Sequence, residues 1–269
     1  MSILQATILG IVQGLTEFFP ISSSGHLTIT KEWLGLQNYS GMHLFLEFIN
    51  VGTLIALVIY FWPRIIKICR EIFIEHNFKF LVNVTITIIP AIAVGLILGD
   101  LIENSSFFNS LTIVAIMLFI VGAIMILVDK MPHMSKLENE EKLSRRRALY
   151  IGLAQIFAFI PGVSRSGSTM IAGRLVGLNN KSAANYSFLI SIPIMLGVIC
   201  KMLLSNSDRM FLMDNFPYLL LSNFCAFLAG FFAIRIAFRI YERRDALKIF
   251  GWYRIIVSSL ILMIILLQI

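Results

Sequence analysis

The chain has 269 residues, of which 58% are hydrophobic and 14% charged, with a formal net charge of +7 and a mean hydropathy of +0.86. That balance lies outside the range of soluble domains and describes an all-α polytopic membrane protein. The positive charge does not point to nucleic acid, because Lys and Arg fall in short clusters between apolar runs, where the positive-inside rule places cytoplasmic loops. Cys69, Cys200 and Cys225 have neither metal-ligand nor disulfide-framework spacing and read as packing residues. The first twenty residues lack a basic start and a small-residue cleavage site, and Gln13 and Glu17 interrupt their apolar run, so this segment reads as retained.

Taken in chain order, the first element is "GIVQGLTEFFPISSSGHL", Gly10 to Leu27, a polar motif in an apolar setting. Its limb after the break, His26 to Leu36, has about eleven residues, roughly 16 Å as helix, too short to cross a hydrocarbon core of roughly 30 Å. A helix, a break and a short returning helix make a re-entrant hairpin, which lipid tolerates where protein or a polar cavity covers the irregular backbone. Three spans follow, at Met42 to Trp62, Phe80 to Leu98 and Leu111 to Val128.

The motif then recurs 142 residues on as "GLAQIFAFIPGVSRSGST". Gly10 falls on Gly152, Gln13 on Gln155, Ser22 on Ser164, Ser24 on Ser166 and Gly25 on Gly167. A second short limb, Ser168 to Leu178, and three spans at Ala183 to Leu204, Tyr218 to Ile240 and Trp252 to Ile269 complete the copy. The pattern predicts a single membrane domain over 1–269, with a first repeat 1–128, a cytoplasmic linker 129–148 and a second repeat 149–269. Each repeat holds one re-entrant helix-loop-helix hairpin and three of the six transmembrane helices. "PRIIKICREIF" with Lys79, the linker "DKMPHMSKLENEEKLSRRR" and "RIYERRDALK" carry most of the basic residues and are assigned to the cytoplasm; "GDLIENSSFFNS" and "SNSDRMFLMDNF" are assigned outside. Three crossings per copy invert the second repeat relative to the first, the topology of many secondary transporters.

The chemistry concentrates in the two motifs. Gln13 and Glu17 lie one helical turn apart on one face and can address the same ligand or cation. A carboxylate at this depth costs several kcal/mol unless paired, so Glu17 is a functional candidate beside the plainer reading of a structural, hydrogen-bonded Glu. Ser22, Ser23, Ser24 and Gly25 can offer hydroxyls and backbone N–H groups to an anion at a helix start, or the serines can simply cap it. His26 can exchange a proton near neutral pH. Arg165 supplies a guanidinium fork suited to phosphate oxygens, and as a structural residue it would need a carboxylate such as Glu17. Ser164, Ser166, Gly167 and Ser168 read as caps or secondary phosphate contacts. Arg174 is expected to snorkel toward the cytoplasm. Glu47, with His43 before it and Asn50 after it, reads equally as part of an outward-facing polar cavity or as a paired structural carboxylate.

Gln13 with Glu17 in "QGLTEFFPISSSGH", together with "PGVSRSG", resembles the two signature regions of the bacterial undecaprenyl-diphosphate phosphatase family, the bacitracin-resistance proteins of the BacA/UppP type. The resemblance extends to "FLEF" around Glu47 and "YSFLISIP" around Ser187. It departs from a two-carboxylate pattern in using Gln13 at a position where the family pattern allows Glu or Gln. The resemblance implies hydrolysis of undecaprenyl diphosphate to undecaprenyl phosphate and inorganic phosphate at the outer face of the bacterial plasma membrane, which recycles the lipid carrier of cell-wall synthesis and underlies bacitracin resistance. It also implies a divalent cation, Mg2+ or Ca2+, held by Glu17 with Gln13 or Glu47. Ser23 is then the candidate for attack or tight phosphate contact, with Glu17 and His26 as proton-transfer partners and Arg165 as phosphate clamp. Water activated by Glu17 or His26 is the alternative nucleophile. A lipid or small-anion transporter using the same midplane site is the competing function. The sequence leaves homo-oligomerisation open.

Overall fold

The structure, a computed structural model, describes residues 1–105, 110–131, 137 and 139–267, without the side chains of 100–104. Residues 106–109 of the first outer loop, 132–136 and 138 of the linker, and 268–269 of the last expected span lie outside the described residues.

The fold is all-helical. α1 (Ile3–Glu17) is followed by a break and α2 (Ser23–Trp33); α3 (Met42–Phe48) and α4 (Asn50–Tyr60) form one span, and α5 (Trp62–Phe73) leads into α6 (Lys79–Asn104) and α7 (Leu111–Lys130). The second half runs through α8 (Arg145–Ile156), α9 (Arg165–Leu175), α10 (Asn180–Leu204), α11 (Asn206–Asp214), α12 (Phe216–Tyr241) and α13 (Ala246–Leu266). Six segments are long and apolar enough to cross a membrane, the expected number: Met42–Tyr60, Lys79–Gly99, Leu111–Lys130, Asn180–Leu204, Phe216–Tyr241 and Ala246–Leu266. The last begins earlier than the expected Trp252, at Ala246, because Ala246, Leu247, Phe250 and Gly251 are buried in the bundle and carry the helix back past Lys248. The basic segment after α4 and the segment before α12, both read as loops, also fold as helices, α5 and α11.

Local chemistry sets the helix starts. Ser2 caps α1 in a reciprocal capping box with Gln5. Ser22 and Ser164 cap α2 and α9 from left-handed backbone, with φ of 72° and 76°. That is a costly conformation for a non-glycine residue, and it persists only where the surroundings fix it. In both halves the cap hydroxyl accepts from the glycine three residues on, Gly25 N at 3.2 Å and Gly167 N at 3.1 Å. The sequence repeat thus appears as a repeat of backbone geometry.

The two halves are interleaved. α1 packs along α12, and α8 along α6, so each motif helix lies against a long helix of the other half. Glycines permit the approach: a Cβ on Gly10 would stand 2.2 Å from the Ser222 carbonyl oxygen, and one on Gly152 would stand 2.5 Å from that of Thr87. α7 and α13 form the other extensive pair. The main core, including Phe18, Tyr186, Phe188, Phe238 and Tyr241, fills the space below the motif breaks. Within it, the Tyr241 hydroxyl donates to the Phe18 carbonyl at 2.7 Å, satisfying backbone exposed where α1 ends.

Two expectations are corrected. Arg174 does not snorkel: it is buried, donates from Nη1 to the Leu178 carbonyl at 3.1 Å and lies in the field of Asp129. Burial inside the bundle, with a carbonyl and a charge for company, replaces the reach to water. Cys69 and Cys200 are exposed rather than packed, and Cys225 is half-buried. Their helices turn those faces away from the bundle.

Candidate active site

Both motif breaks open onto one cavity of about 330 Å³. The ends of α1 and α2 contribute Glu17, Ser23 and Ser24; the second motif contributes Ala158, Ser164, Arg165 and Ser166. Glu47 and Asn50 complete the polar side, and Ile194, Met195, Val198 and Ile199 of α10 form an apolar wall.

Glu17 is the hub. Its Oε1 accepts from Arg165 Nη2 at 2.6 Å, an ion pair between residues of the two repeats. Its Oε2 accepts from the Ser23 hydroxyl at 2.7 Å and from Gln13 Nε2 at 3.2 Å. Gln13 also donates to Asn50 Oδ1 at 2.6 Å, and Asn50 is held in turn by the Leu46 and Glu47 carbonyls. A hydroxyl directed at a carboxylate is set to lose its proton to that group, while a guanidinium at the cavity wall can exchange a carboxylate for phosphate oxygens.

The structure brings Glu17, Ser23, Ser24, Glu47, Ser164, Arg165 and Ser166 together in this lining. Gln13 lies behind Glu17, only 1% exposed, and touches the site through hydrogen bonds. Ser22 and Gly25 are joined in the α2 cap and Ser164 and Gly167 in the α9 cap, so both glycine N–H groups already have partners. Capping therefore occurs together with placement at the cavity, since Ser164 does both. Ser168 donates back to the Arg165 carbonyl, and His43 is exposed; neither lines the cavity.

His26 turns away from the cavity. Its Nδ1 lies 2.8 Å from the Ser22 carbonyl, a partner that can only accept, so Nδ1 carries the proton. Nε2, 2.9 Å from the Tyr253 hydroxyl, accepts from it when the ring is neutral, and the two rings stack. In this arrangement His26 buttresses the strained Ser22 turn, and its ring hydrogen-bonds to neither Ser23 nor Glu17.

Oxygen donors near Glu17 suit a hard divalent cation. Gln13 Oε1 is buried without a hydrogen-bond partner, an acceptor that a cation bound at Glu17 would satisfy. Among the described residues no group of three or more His, Cys, Asp or Glu side chains that could hold a metal is present, this site included, so a cation here would rely on amide and hydroxyl oxygens beside the carboxylates.

Arg254 on α13 escaped the sequence reading. It is 0% exposed, and its guanidinium donates to the Pro20 carbonyl at 2.8 Å, to Val163 at 3.1 Å and, in a short contact, to Gly162. One buried cation thus ties the break of the first motif to that of the second. The signal was available, since an arginine inside an apolar span is a functional or structural anchor by default, the rule that singled out Arg165. Tyr253 carried no comparable signal; its partner His26 lies 227 residues away in sequence.

The profile of the bacitracin resistance protein BacA family matches residues 6–260. A Campylobacter hominis protein described as undecaprenyl-diphosphatase is 38% identical over 263 residues, 96% of this chain and 97% of its own. Proteins of the same description from Flavobacterium johnsoniae and Acinetobacter baumannii are each 33% identical, covering 98% and 97% of this chain and 96% and 94% of theirs.

Replacing Arg254 by Met strips partners from buried carbonyls of both breaks, each worth about 1–3 kcal/mol when left unpaired. Denaturant unfolding in detergent should show a loss of about 3 kcal/mol or more, with Arg254→Lys recovering part of it. Unchanged stability in Arg254→Met would mean that the breaks are held by other contacts.

Proposed function

The chain belongs to the bacitracin-resistance family BacA, and from that premise we propose that the cavity around Glu17 is where it hydrolyses undecaprenyl diphosphate to undecaprenyl phosphate and inorganic phosphate. The activity is that named for relatives aligned over nearly the whole chain; their names do not describe a carrier. One observation supports the assignment of roles above all others: Glu17 stands between the Ser23 hydroxyl and the Arg165 guanidinium.

In this reading the diphosphate takes over the Arg165 fork and meets the N–H groups of Ser23, Ser24, Arg165 and Ser166 that open α2 and α9, while the prenyl chain leaves along the apolar α10 wall toward lipid. Ser23 Oγ attacks the terminal phosphorus as its proton passes to Glu17 Oε2. The bond from that phosphorus to the bridging oxygen breaks, and the electron pair leaves on undecaprenyl phosphate. A phosphate monoester has a second pKa of about 6, so this leaving group needs charge neutralisation more than a proton. That is consistent with a His26 engaged elsewhere. Water then attacks the phosphoserine, Ser23 Oγ recovers its proton from Glu17, and inorganic phosphate departs with the water oxygen while the remaining proton goes to solvent. A magnesium or calcium ion held by Glu17 and Glu47, with Gln13 Oε1 as a neutral donor, would supply charge neutralisation on the phosphate oxygens.

We also read the two motif segments as re-entrant hairpins of inverted repeats in the bacterial plasma membrane, with the cavity open outward. Cavity residues Glu47 and Asn50 sit early in the first span and Ile194 to Ile199 late in the fourth. With the basic loops inside, both positions fall in the outer half. Cysteines placed at Lys31 and Lys181, with Cys69, Cys200 and Cys225 changed to Ser, should be labelled from outside and inside respectively. Labelling of both from one face contradicts the inversion.

Phosphate release by the purified protein from undecaprenyl diphosphate tests the chemistry. Ser23→Ala and Glu17→Ala should each slow the chemical step by about 10² or more with a smaller loss of binding, and chelation of divalent ions should suppress turnover. Arg165→Lys should lose about 10² as well, because a point-charge ammonium cannot reproduce the fork. Near-normal turnover in a folded Arg165→Lys protein would reduce Arg165 to a counter-charge.

A further inference from the structure

α5 is amphipathic with an unusual outer edge. On a helical wheel Trp62, Ile65, Ile66, Ile68, Cys69, Ile72 and Phe73 share one arc, while Arg64, Lys67, Arg70 and Glu71 share the other. The inner edge of the apolar arc packs inward, with Ile65 and Ile68 against the main core. Its outer edge covers nothing in the chain: Trp62 is 56% exposed, Ile66 52% and Phe73 75%. No residue of α5 is fully buried.

The depth of this helix is fixed by its polar arc. The Arg64 guanidinium lies over the Phe80 ring, 5.5 Å from its centroid, in the first turn of the span that begins at Lys79. Arg64 also pairs with Glu140 and Glu141, and Lys67 with Glu141 at 2.8 Å, so the linker is fastened to the same face. The hydrogen bond from Lys67 holds the Glu141 carboxyl below its usual range, which keeps this fastening charged at neutral pH. α5 therefore lies at the level where hydrocarbon gives way to water, beside a span, with the ion pairs on the far side of the helix from the bare apolar edge. Arg70, 70% exposed at the side chain, borders that edge and is placed to meet headgroup phosphates.

We propose that α5 is an interfacial helix whose Trp62, Ile66 and Phe73 edge sits in the headgroup and upper acyl layer of the cytoplasmic leaflet, anchoring the junction between the first and second spans to the lipid surface. A tryptophan at the start of such a helix suits this layer, where its ring is partly apolar and its N–H meets water. Aqueous exposure would require the edge to lie off the boundary at which Arg64 and Phe80 hold it, and cover by a second copy is the outcome that the test below separates from lipid.

The test uses Trp62 as the sole tryptophan, with Trp33 and Trp252 changed to Phe, in nanodiscs carrying phospholipids brominated near the carbonyl or near the chain end. The double variant must retain phosphate release, to show an intact fold. Trp62 emission should be quenched by the shallow bromines at least twice as strongly as by the deep ones, with little quenching by aqueous iodide. A further Phe73→Glu change should reverse the balance toward iodide. Strong iodide quenching with none from either lipid would place α5 in water and overturn the proposal. Protection from both quenchers would show that protein, such as a second copy, covers the edge, and would overturn it too.

Discussion

The ion pair between Glu17 and Arg165 organises this protein, because its partners come from different repeats and meet in one cavity. Replacing such a pair with well-packed apolar residues is often neutral or stabilising, whereas removing one partner costs about 3–5 kcal/mol when the pair is buried. Stability alone is therefore a weak reason to keep it. At the cavity wall the proposed function gives each group a second use: the carboxylate faces the Ser23 hydroxyl and the guanidinium lines the cavity. In the proposed reaction a diphosphate would offer Arg165 other acceptors. The plainer reading of Arg165 as a partner of Glu17 is what the structure displays; in the proposed function its role as a phosphate clamp would follow substrate entry.

Everything else serves to bring those two side chains within 2.6 Å. Gly10 and Gly152 let each motif helix sink onto the opposite half, close enough that a methyl group would collide with backbone. Ser22 and Ser164 accept an unfavourable φ so that the chain can reverse and start a new helix at the cavity. Arg254 joins the carbonyls left open by both reversals, and Tyr241 takes up the one at Phe18. Strain at the breaks is thus offset by hydrogen bonds from helices of the second repeat.

Much of this was legible in the sequence, for identifiable reasons. Hydropathy and length gave six spans, since lipid forces nearly every backbone group into helix. The recurrence of Gly, Gln, Ser and Gly at one offset marked both breaks, because a reversal at membrane depth needs those residue types. Glu17, Ser23 and Arg165 were visible as polar groups that apolar surroundings cannot leave unpaired. His26, three residues from Ser23, was read as its proton-transfer partner; in the structure its ring is engaged by the Ser22 carbonyl and by the Tyr253 hydroxyl of α13, a partner that no sequence spacing announces. Arg254 was overlooked because it lies outside both motifs, although its burial in an apolar span was itself the sign. The helical nature of α5 was hidden by its basic residues, which serve as a loop signal in topology and as the polar face of a helix in structure.

The central claim is that Ser23, activated by Glu17, carries the phosphoryl group. Rapid quenching of the first turnover with undecaprenyl diphosphate labelled with 32P at the terminal phosphate tests it most directly. The account predicts transient protein-bound label that maps to Ser23 and is absent from Ser23→Ala. Phosphate formed in the first turnover with no protein-bound label at any quench time would contradict it and make water the nucleophile.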